Sequence, residues 1–204
     1  IIISGMMWGI AQAVQTSILG HISASAIAAN SIASVIFQIF AVLGFSCSNA
    51  ASVTTGKTIG SGRLDKVRSY AKTMQLFFLI TGIICGGMIF VFKDIIVSFY
   101  TVSEETKALS VSFLTVFSIS TIGTCYEVPT MNGIIAGGGD TRYSAIIDNL
   151  FMWLFTIPLA AASAFFFKWP PVVTFICLKA DQIIKCIPNA IVCNRYRWVR
   201  RLTR

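Results

Sequence analysis

The sequence predicts an all-α polytopic membrane protein with six transmembrane helices. Hydrophobic residues make up 55% of the 204 residues, and the mean hydropathy is +0.78. Charged residues make up 12%, about half of the roughly 25% that a soluble domain carries. Most charges lie between long apolar runs, and a helix needs about 20 apolar residues to cross the hydrocarbon core. This composition excludes both a disordered chain and a water-soluble domain.

The six predicted spans follow one another with short connections. The first two lie at about 1–19 and 24–55, and the second is longer than one crossing requires. The third, at 73–92, is bracketed by Lys72 and Lys93. The others lie at 108–126, 149–167 and 169–193, and the last of them has charges in its middle. A basic tail at 194–204 follows the membrane region.

Small residues and prolines predict how these helices pack and bend. Gly82 and Gly86 are four residues apart, a spacing that lets two membrane helices approach closely. Pro129, Pro158 and Pro188 fall within or near spans. Proline frees a backbone carbonyl, so these positions predict bent or discontinuous helices.

The distribution of positive charge predicts the orientation. The net charge is +8, which in a soluble protein would suggest nucleic acid as a partner. Here, eleven of the sixteen Lys and Arg residues lie in the 56–72 and 132–142 loops and in the tail, and three lie in the alternate loops. Positively charged loops stay in the cytoplasm. We therefore expect a cytoplasmic C-terminus, a lipid bilayer as partner and no nucleic acid.

The candidates for metal binding and catalysis are weak. The six cysteines lie in or at the ends of apolar runs, and no pair has C-x-x-C spacing. They are best interpreted as small buried hydrophobic residues. His21 is the single histidine and is predicted in a short loop. A membrane protease needs a Ser–His pair, paired aspartates or a zinc site, so we predict no metal, no cofactor and no enzymatic activity.

Ionisable residues inside the membrane are the sharpest functional signal. Glu127, Asp148, Lys179, Asp181 and Lys185 lie in or beside apolar spans, where a charge is costly unless it is paired or hydrated. Asp181 and Lys185 are four residues apart and can pair on one helix face, whereas Lys179 and Asp181 point apart. That pair has either a structural or a functional role. Glu127 and Asp148 have no partner nearby in sequence, which favours them as a proton- or cation-responsive site.

A glycine-rich turn precedes the fifth span. Gly137, Gly138 and Gly139 are followed by Asp140, which is suited to capping the next helix. We predict a structural turn here. A purely structural alternative for Asp148 is that it accepts hydrogen bonds from this turn.

Three stretches resemble the second half of multidrug and toxic compound extrusion (MATE) transporters. They are GHISASAIAAN at Gly20–Asn30, GKTIGSGRLDKVRSYA at Gly56–Ala71 and GIIAGGGDTRYSAIIDNLFMWLFTIP at Gly133–Pro158. The resemblance implies twelve helices in two six-helix lobes around a central cleft. The chain would be the C-terminal lobe, helices seven to twelve, and its partner would be a missing N-terminal lobe. Two positions depart from the family pattern, because Ala136 replaces a common Arg and Gly5 stands where many relatives have an acid before Trp8.

The function implied by the resemblance is secondary active antiport in the plasma (inner) membrane. Such a protein is expected to export organic, cationic solutes or drugs, driven by Na⁺ or H⁺ entry. The candidates for coupling or substrate binding are Glu127, Asp148, Asp181 and Lys185. One alternative is a flippase for a lipid-linked saccharide, whose cleft would need positive charge to meet pyrophosphate. Another is a half-size subunit that dimerises into a complete transporter.

Overall fold

Six helical segments account for the architecture in the computed structural model, which describes residues 2–199. The first three are α1 (Ile2–Ile22), α2 (Ala24–Gly60) and α3 (Leu64–Ser98). The fourth, α4, is α-helical over Glu104–Val128 and continues as a π-helix over Pro129–Ile135. The fifth, α5, spans Thr141–Phe166. The sixth, α6, spans 171–195 in three pieces, Pro171–Lys179, Asp181–Ile184 and Cys186–Arg195. No strand occurs in this part of the chain.

Helices α2 to α5 are each long and apolar enough to cross a membrane. They extend past the predicted spans because a hydropathy pattern marks the apolar stretch and not the ends of the helix. Helix α3, predicted at 73–92, begins at Leu64 and ends at Ser98. Its first turn contains Asp65, a charge that favours a helix N-terminus. The polar first and last turns therefore extend beyond the 30 Å core.

The prolines change the backbone within the helices and do not end them. Pro129 begins the π-helical end of α4, and α5 contains π-helical stretches on both sides of its Ile157–Ala161 segment. Helix α6 is interrupted at Ala180 and Lys185. Pro188 cannot donate to the carbonyl of Ile184, which accounts for the irregular backbone just before Cys186.

Helices α3 and α4 pack closely at the two predicted glycines. A Cβ atom added to Gly82 would lie 2.9 Å from the carbonyl oxygen of Ile122. A Cβ atom added to Gly86 would overlap the carbonyl of Ser118. The predicted role of this pair in helix packing is confirmed.

Two apolar cores lie between the helices, one toward each end of the helical bundle. The first is centred on Phe113, Phe117 and Phe175, with Phe113 and Phe175 stacked 4.0 Å apart between ring centroids. The second includes Ala51, Ile134 and Trp198. Large side chains such as Leu154 (72% exposed) and Val91 (66%) point outward. An apolar exterior of this kind is what a bilayer covers.

The start of the basic tail packs against the glycine-rich turn. Trp198 is 1% exposed, and its indole N–H donates to the carbonyl oxygen of Cys193 at 2.8 Å. A Cβ atom on Gly138 would collide with the Trp198 ring, so only glycine fits there. Gly139 has a φ of 107°, a conformation that glycine adopts without strain. The tail arginines Arg200, Arg201 and Arg204 lie outside the described residues.

Candidate functional site

Four charged side chains predicted from the sequence meet between α4, α5 and α6. The Nζ atom of Lys185 lies 2.8 Å from Oδ1 of Asp148 and 3.0 Å from Oδ2 of Asp181. It lies 3.8 Å from Oε1 of Glu127. We call these four residues the carboxylate–lysine cluster. Three helices that are distant in sequence therefore supply one site.

The members of the cluster differ in their access to solvent. Glu127, Asp181 and Lys185 are each 1% exposed. The side chain of Asp148 is 33% exposed, so it forms the open side of the cluster. Three carboxylates surround one ammonium, which leaves a formal surplus of negative charge when all of them are ionised. Buried charge without compensation is costly, so a further positive charge would stabilise this arrangement.

Glu127 is the least satisfied member of the cluster. Its Oε1 atom is buried and has no hydrogen-bond partner. The 3.8 Å separation from Lys185 is within reach of electrostatic attraction but is too long for a hydrogen bond. A proton or a small cation would satisfy this oxygen.

Polar side chains around the cluster were not predicted from the sequence. Gln182 donates to Oδ2 of Asp181 at 3.2 Å and accepts from Thr124 at 2.9 Å. Tyr143 donates to Oδ1 of Asn189 at 3.0 Å, while Nδ2 of Asn189 is buried without a partner. The signal that could have found them is an amide or hydroxyl within an apolar span.

Lys179 lies in a different environment from the cluster, in agreement with its predicted direction away from Asp181. Its Nζ atom is 3.5 Å from Oε1 of Gln15 and lies 5.3 Å and 5.7 Å from the ring centroids of Phe117 and Phe175. The amide and the aromatic faces stabilise this ammonium.

The predicted turn lies apart from the cluster. Gly137 is packed against Ser52 of α2 and Gly138 against Trp198. Asp140 occupies the N-cap position of α5, but its side chain does not form the predicted capping hydrogen bond. The structure does not support the alternative in which Asp148 accepts hydrogen bonds from this turn. Asp148 instead pairs with Lys185.

The described residues hold no group of three or more His, Cys, Asp and Glu side chains arranged around a metal ion. The acids of the cluster surround the Nζ atom of Lys185. The cysteines of the described region are all free.

Comparison with known proteins decides the family. The MatE family profile matches residues 1–162, about four-fifths of the chain. The chain belongs to the MatE family. Glu127 and Asp148 lie within the matched region, and Asp181 and Lys185 lie beyond it.

Curated relatives of this MatE chain are named probable multidrug resistance proteins. A probable multidrug resistance protein NorM from Listeria innocua is 25% identical over 150 residues, 74% of this chain and 33% of that protein. One from Thermotoga maritima is 26% identical over 145 residues, 71% of this chain and 30% of that protein. The chain therefore spans about a third of the length of the curated relatives that it matches.

A solved structure shares the fold. A MOP superfamily transporter from Pyrococcus furiosus superposes with a TM-score of 0.81 at 14% identity, over 98% of this chain and 43% of that one. The six helices thus correspond to one lobe of a twelve-helix transporter. The MatE chain is a multi-pass membrane protein whose surroundings are a lipid bilayer.

Proposed function

We propose that this chain forms the C-terminal lobe of an antiporter that exports organic cations against Na⁺ or H⁺ entry. The observation that carries the proposal is the carboxylate–lysine cluster, in which three carboxylates share one buried ammonium. The relatives' names, probable multidrug resistance proteins, support drugs as the substrates. Transport, and not an enzymatic reaction, is the activity that we assign.

The surplus negative charge supplies the coupling. A proton or Na⁺ on Glu127 and a cationic substrate near Asp148 would each compensate the same cluster. Binding of one therefore weakens binding of the other, and the two drive opposite steps if each favours a different conformation of the protein. Asp148 is the partly exposed acid and is the one within reach of a large substrate.

The lobe is oriented with its basic loops and its C-terminus in the cytoplasm of the cell, in the plasma (inner) membrane. The excess of Lys and Arg on that side supports this orientation. The missing N-terminal lobe would face this one across a cleft and complete the substrate site.

The alternative, a flippase for a lipid-linked saccharide, needs positive charge for pyrophosphate. Within the described membrane region, Lys185 is already engaged by three carboxylates, and Lys179 is engaged by an amide and two aromatic rings. The balance of charge in the cluster favours a cationic substrate.

Transport into vesicles tests the proposal. The full-length protein is reconstituted, a pH or Na⁺ gradient is applied, and accumulation of a fluorescent organic cation is followed. We expect accumulation that collapses when the gradient is dissipated. A lipid-linked saccharide is tested in the same vesicles as the substrate of the flippase alternative. Failure of every organic cation to move under either gradient, with intact protein in the vesicles, would remove the proposal.

A further inference from the structure

A cavity with a basic, polar lining lies where the N-terminal end of α3 meets the C-terminal end of α6. It measures about 580 Å³. It is lined by Arg68, Ser69, Lys72, Asn194 and Tyr196. We call it the basic cavity. It lies apart from the carboxylate–lysine cluster and has no part in the proposed coupling.

The groups in the basic cavity lack an anion. Arg68 and Lys72 are four residues apart on one face of α3, and neither forms an ion pair with any carboxylate of the described residues. The Arg68 guanidinium lies 5.1 Å above the ring of Tyr196. The hydroxyl of Tyr196 is buried without a hydrogen-bond partner. Two cations and an unused hydroxyl together fit the oxygens of a phosphate group.

An apolar groove lies further along α3 and α6, and α4 supplies part of its wall. It measures about 570 Å³, and its walls include Leu79, Ile187 and Ile191. Leu79 lies two turns below Lys72 on α3, about 10 Å at 1.5 Å per residue. On α6, the lining residues run from Ile191 to Ile183, about 12 Å toward the membrane centre. The basic cavity and the apolar groove, one above the other along the same helices, together match a single amphipathic molecule.

The position of the basic cavity across the membrane agrees with this interpretation. Lys72 and Lys93 bracket the apolar part of α3 and are about 31 Å apart along the helix, the thickness of the hydrocarbon core. Arg68 and Lys72 therefore lie at the level of the lipid headgroups. Basic pockets between membrane helices at this level bind anionic headgroups.

We propose that the groove between α3 and α6 is a binding site for an anionic phospholipid. Its phosphate binds Arg68 and Lys72 and accepts a hydrogen bond from Tyr196. One acyl chain lies in the apolar groove against Leu79 and Ile187. Free phosphate shares the headgroup chemistry but cannot fill the groove, so the groove commits the site to a lipid.

Native mass spectrometry of the full-length protein tests this proposal. The purified protein is titrated with phosphatidylglycerol, with phosphatidylcholine and, separately, with inorganic phosphate. We expect phosphatidylglycerol to bind most tightly and inorganic phosphate not to displace it at equal concentration. Equal binding of the two phospholipids, or displacement by inorganic phosphate, would overturn the assignment.

Paired variants locate the headgroup. The double variant that carries both Arg68→Gln and Lys72→Gln should bind phosphatidylglycerol about 25-fold more weakly, since each basic residue near the surface contributes about fivefold. The control pair, Lys57→Gln with Arg63→Gln, removes the same charges from exposed positions on the same side. It should change binding little. Equal losses in both pairs would mean diffuse attraction to the surface and would overturn the proposal.

Two further variants keep the net charge constant. Tyr196→Phe removes only the hydroxyl and should weaken phosphatidylglycerol binding severalfold. Ala190→Trp fills the apolar groove, of which Ala190 is a wall, and should abolish tight binding. Ala50→Trp, at an exposed position of α2, is its control. Thermal unfolding in detergent establishes that each variant is folded, and unchanged binding in both Tyr196→Phe and Ala190→Trp would contradict the proposal.

Discussion

Replacement of Lys185 by Met tests whether the carboxylate–lysine cluster depends on its single ammonium. Methionine keeps a long unbranched side chain and removes the charge. The change removes the Nζ atom, which lies 2.8 Å from Asp148, 3.0 Å from Asp181 and 3.8 Å from Glu127. The three carboxylates then face one another without a compensating charge. Because Lys185 is 1% exposed and methionine fills most of its space, little water can take the place of the ammonium. Removing one partner from a buried ion pair costs about 3–5 kcal/mol, and we expect a loss of that size.

A matched exposed pair calibrates the measurement. Lys107 lies 2.9 Å from Oε1 of Glu104, nearly the same distance as in the buried pair. The Glu104 side chain is 89% exposed, so Lys107→Met should cost at most about 1 kcal/mol. The free energy of unfolding is measured in detergent by thermal and denaturant titration of the full-length protein.

A compensating change separates charge from packing. Asp181→Asn in the Lys185→Met background removes one uncompensated carboxylate and should recover part of the lost stability. Equal destabilisation by Lys185→Met and Lys107→Met, or no recovery in the double variant, would refute the electrostatic reasoning.

The other predictions concern the open side of the cluster and the close glycine contacts. Asp148→Asn and Asp148→Ala should both strongly reduce gradient-driven transport in protein that reaches the membrane intact, because both remove the negative charge at the open side of the cluster; transport that survives Asn and fails only with Ala would make the role structural. Gly138→Ala should destabilise by about 1–3 kcal/mol in thermal unfolding because its Cβ collides with Trp198, and an unchanged melting temperature would contradict that packing. Gly86→Ala should destabilise similarly, whereas Gly87→Ala, with nothing within 4 Å, should be neutral or stabilise by about 0.5–1 kcal/mol; equal effects at the two glycines would be the contrary result.

The sequence predicts the membrane fold well because the bilayer imposes a simple requirement on composition. Apolar runs of about 20 residues and the spacing of Gly82 and Gly86 are local patterns. The pairing of Asp181 with Lys185 is local too, since four residues make one helical turn. The structure has this pair at 3.0 Å.

The rest of the cluster depends on how helices pack. Asp148 and Lys185 are 37 residues apart, and no local pattern states that α5 and α6 meet at that level. The irregular backbone of α6 at Lys185 is likewise a result of Pro188 four residues beyond Ile184. Burial of Trp198 was not predicted, because its contact with Gly138 joins the tail to a turn about sixty residues earlier.

The role of Glu127 is the central claim, and competition between ion and substrate tests it most directly. The affinity of the full-length protein for a fluorescent organic cation is measured as a function of pH and of Na⁺ concentration, with wild type and with Glu127→Gln. By linkage, if an ion lowers the protein's affinity for the substrate by some factor, the substrate lowers the affinity for that ion by the same factor. The account predicts that acid or Na⁺ weakens substrate binding in the wild type and that Glu127→Gln abolishes this dependence in folded protein. A Glu127→Gln variant that keeps the wild-type dependence on pH or Na⁺ would contradict the account.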